Sequence, residues 1–150
     1  MTTKRIVYSM PDGAVRVCCP APEYIARLMG LGMTEDQAIA VVQAKDVPPD
    51  AVNAEVLEAA AIPTDRTFRN AWVKPPVGPP AVDLPKAREI QRQRIEVARE
   101  ATMKQLLLRE ALGDNVVGRK AQVAAVNAVA IVNAVSNEAA LKNSKPGVLD

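Results

Sequence analysis

The sequence predicts an α+β fold that is mainly α-helical, with a small β-hairpin/helix head followed by a long C-terminal helical hairpin. Three observations support this fold class. Two strand-like segments flank a turn near the N-terminus, five prolines interrupt residues 74–85, and a long amphipathic helical pattern follows. We therefore predict a head over residues 1–74, a proline-rich connector over 75–84 and a helical region over 85–150.

The first predicted element is a β-hairpin. Residues 5–8 and 15–18 have the composition of strands, and Pro11-Asp12-Gly13 between them is typical of a tight turn. A two-stranded hairpin is only marginally stable by itself. We therefore expect a further element to cover it.

A pair of short helices follows the hairpin. The first begins near Pro22 and ends at Gly30. Its apolar face consists of Tyr24, Ile25, Leu28 and Met29. Thr34 and Gln37 have the spacing of a capping box, which opens the second helix, and Pro48 ends it.

Residues 54–62 are compatible with either a strand or a short helix. Their alanines favour a helix, whereas a third strand would shield the marginal hairpin. We predict the strand.

Residues 63–72 hold the only Phe and the only Trp of the chain, four positions apart. We predict a helix, capped at position 64 or 65, in which Phe68 and Trp72 share one face with Arg66 and Arg69 beside it. The aromatic pair is then either a core contact or an anchor for a partner subunit, with Arg66 or Arg69 bonding a carboxylate. Asp65 is an alternative ionic partner for Arg69, because the two are spaced i to i+4.

The longest predicted helix covers residues 83–112, with Asp83 as its cap and Gly113 after its end. Its apolar side chains fall within half of the helix surface: Leu84, Ala87, Ile90, Ile95, Val97, Ala98, Ala101, Leu106, Leu108 and Leu112. A small head cannot cover so wide an arc. We expect it to meet another helix or another subunit, with Ile95, Leu106 and Leu108 as partner-binding residues.

The return segment, residues 119–143, is rich in Ala, Val and Asn. Small side chains let helices approach closely, and a buried Asn can set their register at some cost in stability. We predict that residues 136–138 restart a short terminal helix with Leu141 facing inward. We find no internal repeat.

The composition argues against enzymatic chemistry. The chain contains no His, the usual base near neutral pH and the commonest metal ligand. Cys18 and Cys19 are adjacent and would point to opposite faces of an extended segment, so we expect two reduced thiols. The glycines form no phosphate-binding loop. We therefore predict no enzyme, and assign no catalytic residue, no cofactor and no metal.

Two charged or apolar segments bear on the partners of the chain. Residues 86–94 carry a local charge of +3, which indicates either a solvated helix face or, less favoured, a nucleic-acid groove. The longest apolar run, residues 121–135, is shorter and more polar than the ~20 residues that span a bilayer. We find no signal peptide and expect a soluble protein made in the cytoplasm, without membrane contact.

Two blocks of sequence resemble a family of small, mostly uncharacterised proteins of tailed bacteriophages and prophages. The first is Arg5-Ile-Val-Tyr-Ser-Met-Pro-Asp-Gly with the later Met33-Thr-Glu-Asp-Gln-Ala. The second is Ile62-Pro-Thr-Asp-Arg-Thr-Phe-Arg-Asn-Ala-Trp, followed by Val82-Asp-Leu-Pro-Lys-Ala-Arg-Glu-Ile. The resemblance covers about the first 100 residues and, weakly, residues 137–141, whereas residues 102–135 depart from it. The resemblance implies phage origin. It implies no activity that could be assigned to particular residues of this chain.

These observations predict a non-enzymatic virion structural protein: a capsid, collar or tail-fibre attachment component. Much of the 49% hydrophobic fraction is Ala and Val, so each buried residue removes little area from water and self-association is expected. The predicted partners are further copies of the chain and other virion proteins, and the predicted locations are the virion and, during assembly, the host cytoplasm. The alternatives are a tail or fibre assembly chaperone absent from the mature particle and a small nucleic-acid-binding regulator.

Overall fold

The computed structural model describes residues 2–150 and divides the chain into two compact units, Met1–Val82 and Asp83–Asp150. About 52% of the chain is helical, and a small antiparallel sheet lies near the N-terminus. The predicted α+β, mainly α, fold is therefore confirmed. The division between the units falls inside the segment predicted as a connector.

The first unit is built on a three-stranded antiparallel sheet with the order β2-β1-β3. Its strands are β1 (Lys4–Ser9), β2 (Val15–Cys18) and β3 (Val52–Glu58). β1 is central, and its Ile6 and Val7 side chains are fully buried on opposite faces, as alternation along a strand requires. The hairpin and the third strand are confirmed, but β3 begins two residues before the predicted position and ends four residues before it, because residues 59–61 form a 3₁₀ turn.

The hairpin turn uses the predicted residues. Asp12 accepts a hydrogen bond from the N–H of Ala14 through Oδ1 at 2.9 Å. Gly13 adopts a φ of 82°, a left-handed conformation that favours glycine. These two residues therefore reverse the chain by local chemistry alone.

Two helices cover one face of the sheet, α1 (Pro22–Gly30) and α2 (Glu35–Asp46). The capping box is confirmed, since the Thr34 hydroxyl accepts from the N–H of Gln37 and Oε1 of Gln37 accepts from the N–H of Thr34. The core of this face comprises Ile6, Tyr8, Ile25, Leu28, Ala38, Ile39 and Val42. Met29, predicted on the buried face of α1, is instead 46% exposed.

The opposite face of the sheet packs on Trp72 rather than on a helix. The predicted helix over residues 64–72 is wrong: the segment forms only a 3₁₀ turn, Arg69–Ala71, before β4 (Trp72–Val73). Trp72 pairs with Val82 in β5 (Ala81–Val82). The spacing of the aromatic residues favours a helix, but Trp72 gains more from pairing with Val82 and from burial against the sheet.

The proline-rich segment joins β4 to β5 and so belongs to the first unit. The N–H of Gly78 donates to Oε2 of Glu55 on β3 at 2.9 Å, which attaches this loop to the three-stranded sheet. The segment predicted as a stiff connector is thus a loop that closes a second, two-stranded sheet.

The second unit begins with α3 (Leu84–Ala111), a helix of 28 residues. Its predicted cap is confirmed, because Oδ1 of Asp83 accepts from the N–H of Lys86 at 2.9 Å. After its last turn, Gly113 adopts a φ of 95°, which allows the chain to reverse.

The return arm consists of three short helices, α4 (Val117–Ala124), α5 (Ala128–Asn133) and α6 (Glu138–Lys142). Asn127 and Asn137 separate them by accepting from the N–H groups three residues ahead, at 3.0 and 2.8 Å. The expectation of a buried, register-setting Asn is wrong for this arm, since its asparagines lie at exposed helix ends.

The return arm covers one face of α3. The core of this unit comprises Ala87, Gln91, Ile95, Leu106, Val116, Val123, Ala128, Val132, Leu141 and Leu149. The prediction that Leu141 faces inward is confirmed, since its side chain is fully buried.

Candidate interaction surfaces

The three partner-binding residues predicted on α3 have different environments. Ile95 and Leu106 are 0% and 3% exposed, because the return arm packs on them. Leu108 is 64% exposed. Of the three, only Leu108 therefore presents its side chain at a surface, and Ile95 and Leu106 are core residues of the second unit.

A row of exposed apolar side chains runs beside the buried face of α3. This row, the α3 ridge, consists of Val97, Ala101, Leu108 and Leu112, spaced by four, seven and four residues. Val97, Leu108 and Leu112 are 67%, 64% and 77% exposed. At 3.6 residues per turn the α3 ridge lies about 100° around the helix from the buried face. It is therefore a second apolar face, which the return arm leaves open.

A groove of about 430 Å³ lies on the other side of α3, at its contact with α4. It is lined by Arg99, Glu100, Met103, Lys104, Leu107 and Ala124. Leu107 is 50% exposed, and Arg99 is paired with Glu96 at 3.1 Å. The groove therefore has an apolar wall and a charged rim.

Both aromatic residues predicted as a partner anchor are core residues of the first unit. Phe68 and Trp72 are each 1% exposed. Their burial favours the interpretation of the pair as a core contact. The helix on which the anchor was predicted is absent, because the segment forms a 3₁₀ turn followed by a strand. The predicted proximity of the arginines is confirmed, because the guanidinium carbons of Arg66 and Arg69 lie 5.0 and 5.9 Å from the centre of the Trp72 ring.

A polar cavity of about 410 Å³ lies beside this cation–π cluster. It is lined by Ala14, by Val15 and Arg16 on β2, and by Arg69 and Asn70 in the 3₁₀ turn. The contributing segments are more than 50 residues apart in sequence. Sequence reasoning found Arg69 through its closeness to Trp72 and missed Arg16 and Asn70, since no local pattern connects a strand of the hairpin with this turn.

The basic segment 86–94 is partly neutralised within its own helix. Arg92 donates to both carboxylate oxygens of Glu89, at 2.8 and 2.6 Å. Hydrogen bonds from Arg92 and then Gln93 lower the pKa of Glu89 to about 2. Arg88 donates to the carbonyl of Val135 at 2.7 Å. These contacts are typical of a helix face that pairs its own charges.

The two cysteines are free thiols, as predicted. Cys18 is half-buried, and burial raises the pKa of its thiol, whereas Cys19 is exposed. In the part of the chain that the structure describes, no three His, Cys, Asp or Glu side chains are grouped as a metal site would require.

Comparison with protein-family models, with curated proteins and with solved structures yields no match to this chain. From residue 2 to residue 150, no helix combines the length and apolar character needed to cross a bilayer.

Proposed function

We propose that this chain is a non-enzymatic structural component of a tailed-phage virion that assembles by packing of subunits against one another. The single observation that carries the proposal is the α3 ridge, with three aliphatic side chains each at least 64% exposed. Full burial of a Val or Leu side chain is worth about 1.5–3 kcal/mol. A partner that covered the α3 ridge would therefore gain several such contributions at once.

The spacing of the α3 ridge favours a second copy of the same helix as the partner. Val97, Ala101 and Leu108 fall on the d, a and a positions of one heptad register, in which apolar side chains of two helices interlock. Leu112 lies beside this seam, at the next e position. The same heptad places Lys104 in the seam. In a parallel, in-register pair this ammonium would face its own copy, so an antiparallel or staggered pair is the favoured arrangement.

The virion assignment is supported by the resemblance of about the first 100 residues to tailed-phage and prophage proteins. A tail or fibre assembly chaperone would use the same kind of apolar surface and then leave the particle. The regulator alternative is weakened by the Glu89–Arg92 pair, which occupies one of the cations that phosphates would need.

Sedimentation of the purified chain tests the role of the α3 ridge. We expect the wild type to form oligomers, and Leu108→Asp or Leu112→Asp to lower the sedimentation mass to that of the monomer, since a buried charge without a partner is costly. Leu107→Asp is the matched control, because it adds the same charge to an exposed Leu of the groove outside the ridge. A monomeric wild type, or equal dissociation by Leu107→Asp, would contradict assembly through the ridge.

Mass spectrometry of purified phage particles tests the place of the chain in the virion. Many copies per particle are the expected result. Copies found only in lysates before assembly is complete would favour the chaperone, and retention on DNA with a steep dependence on salt would favour the regulator.

A further inference from the structure

We infer that two copies of this chain pair through antiparallel α3 helices, in the register that places Lys104 of each copy beside Glu100 of the other. The inference rests on the proposed function, because it starts from assembly through the α3 ridge. It adds that the α3 ridge is complementary to itself and that one pair of opposite charges sets the alignment of the two copies.

The apolar residues of the α3 ridge match one another when two α3 helices run in opposite directions. In an antiparallel pair, each a position faces a d position of the partner. A two-fold axis between Thr102 and Met103 sets Val97 opposite the partner's Leu108, and the symmetry repeats this contact. Val97 and Leu108 are 67% and 64% exposed in the single chain. Each contact therefore removes two aliphatic side chains from water.

The long cationic side chains of the seam face small residues in the same register. Lys104 lies opposite the partner's Ala101, and Arg94 lies opposite the partner's Ala111. An alanine leaves room for a long aliphatic stem to follow the seam and carry its charged end to the edge. The stem of Arg94 also lies against the partner's Leu112, which stands beside the seam. The pairing therefore covers all four residues of the α3 ridge.

Glu100 supplies the counter-charge for Lys104. Both residues lie toward the same edge of the seam, and the two-fold axis brings this edge beside the same edge of the partner. Along the helix axis, Lys104 and the partner's Glu100 differ by the rise of one residue, about 1.5 Å. Two such ion pairs, related by the two-fold axis, therefore form in each dimer.

Both charges are available in the single chain. The ion pairs within residues 2–150 do not include Glu100 or Lys104. The two are spaced i to i+4, at which a glutamate and a lysine can pair within one helix, but here both side chains border the open groove beside α4. The α3 ridge is thus flanked by an anion and a cation that an antiparallel second copy complements.

The neighbouring antiparallel registers are less favourable. A shift of the partner by one heptad in one direction places Lys104 opposite the partner's Arg94, so that two cations face each other. The opposite shift places Lys104 opposite the partner's Leu108 and leaves Val97 beyond the end of the partner's α3. Charge and length therefore select the same register.

Charge reversal tests this register in the full-length chain. Glu100→Lys and Lys104→Glu should each raise the dissociation constant about tenfold or more, because each reversal brings like charges together at both pairs. An equimolar mixture of the two variants should regain the affinity of the wild type, since positions 100 and 104 of unlike chains again carry opposite charges. Sedimentation over a series of concentrations measures these constants.

The matched controls are Glu23→Lys and Arg27→Glu on α1. They make the same reversals at the same i to i+4 spacing, at two exposed positions of the first unit. Each control, and their mixture, should change the dissociation constant less than about twofold. Circular dichroism checks that Glu100→Lys and Lys104→Glu, both at exposed positions, leave the fold intact.

Cysteine cross-linking measures the register without altering the charges. In a chain that carries Cys18→Ser and Cys19→Ser, a mixture of Val97→Cys and Leu108→Cys variants should form a disulfide-linked dimer on mild oxidation, because the two positions face each other. Either variant by itself should remain unlinked, since the two-fold axis separates each position from its own copy.

Three results would overturn this register: unchanged association of Lys104→Glu, no recovery in the mixture of charge variants, or cross-linking of Val97→Cys or Leu108→Cys with its own copy. If Leu108→Asp nevertheless dissociates the wild-type oligomer, assembly through the α3 ridge stands and only the register is wrong. A monomeric wild type would overturn both the register and the proposed assembly.

Discussion

The ammonium group of Lys74 lies 2.7 Å from Oε2 of Glu55, and the Lys74 side chain has no exposed surface. The ammonium also donates to the carbonyl of Pro75 at 2.9 Å, and the same carboxylate oxygen accepts from the N–H of Gly78 at 2.9 Å. One carboxylate on β3 therefore holds the proline-rich loop against the sheet and neutralises a buried cation.

Removal of the carboxylate should destabilise the first unit more than removal of both charges. Glu55→Gln leaves the Lys74 ammonium buried without its counter-ion, whereas adding Lys74→Met to Glu55→Gln replaces the pair by a long apolar side chain. We expect the double variant to regain part of the unfolding free energy that Glu55→Gln loses. Urea denaturation of Glu55→Gln, of Lys74→Met and of the double variant measures the coupling between the two residues. Equal destabilisation by Glu55→Gln and by the double variant would contradict the expected recovery.

The same pair should make stability depend on pH. The hydrogen bond from Lys74, and then that from Gly78, lower the pKa of Glu55 below its usual 4.5. A lowered pKa stabilises the fold above the unfolded value, and this contribution is lost as the pH falls through the folded value. The difference in unfolding free energy between wild type and Glu55→Gln should therefore shrink as the pH is lowered from about 6 to about 3. A difference that stays constant would show that the charge of Glu55 does not stabilise the fold.

Trp72 should be the most costly single residue of the first unit to truncate. Trp72→Ala is expected to lower the unfolding free energy by about 3–5 kcal/mol, since it leaves a large cavity. Trp72→Phe should cost less, because it keeps an aromatic ring and removes the indole N–H, which is buried without a hydrogen-bond partner. Denaturation followed by circular dichroism measures both, and an equal loss for the two variants would mean that a phenyl ring replaces none of the packing of the indole.

The asparagine caps of the return arm should be worth about 1 kcal/mol each. Asn127→Ala and Asn137→Ala remove the acceptors of the Ala130 and Ala140 N–H groups. Asn133→Ala, at the exposed end of α5, is the control and should change stability by less than about 0.5 kcal/mol. Chemical denaturation compares the three variants; equal effects would mean that position 127 or 137 acts only through helix propensity.

The elements predicted correctly are those that nearby residues determine. The Asp12-Gly13 turn, the Thr34–Gln37 capping box and the Asp83 cap each close their hydrogen bonds within four residues. The sequence pattern therefore contains all of the partners that these features need.

The errors fall where a distant partner decides. Phe68 and Trp72 have helical spacing, but Val82 pairs with Trp72 and draws it into a strand. The return arm is the exception, because its breaks are local. Asn127 and Asn137 each begin a new helix by accepting from an N–H group three residues ahead.

The candidate sites divide in the same way. The closeness of Arg66 and Arg69 to Trp72 follows from the sequence, because these residues are within six positions of one another. The polar cavity forms only because the fold brings residues 14–16 of the hairpin beside residues 69 and 70 of the 3₁₀ turn.

By itself, the sequence determined the fold class, the chain reversals and the wide apolar arc of α3, because each follows from residue spacing along the chain. Ile95, Leu106, Leu108 and Leu112 all belong to that arc, and helical periodicity treats them alike. Only the tertiary structure decided that Ile95 and Leu106 are buried while Leu108 and Leu112 are exposed. The physical reason is that three short helices cover one stripe of α3 and leave the neighbouring stripe to solvent.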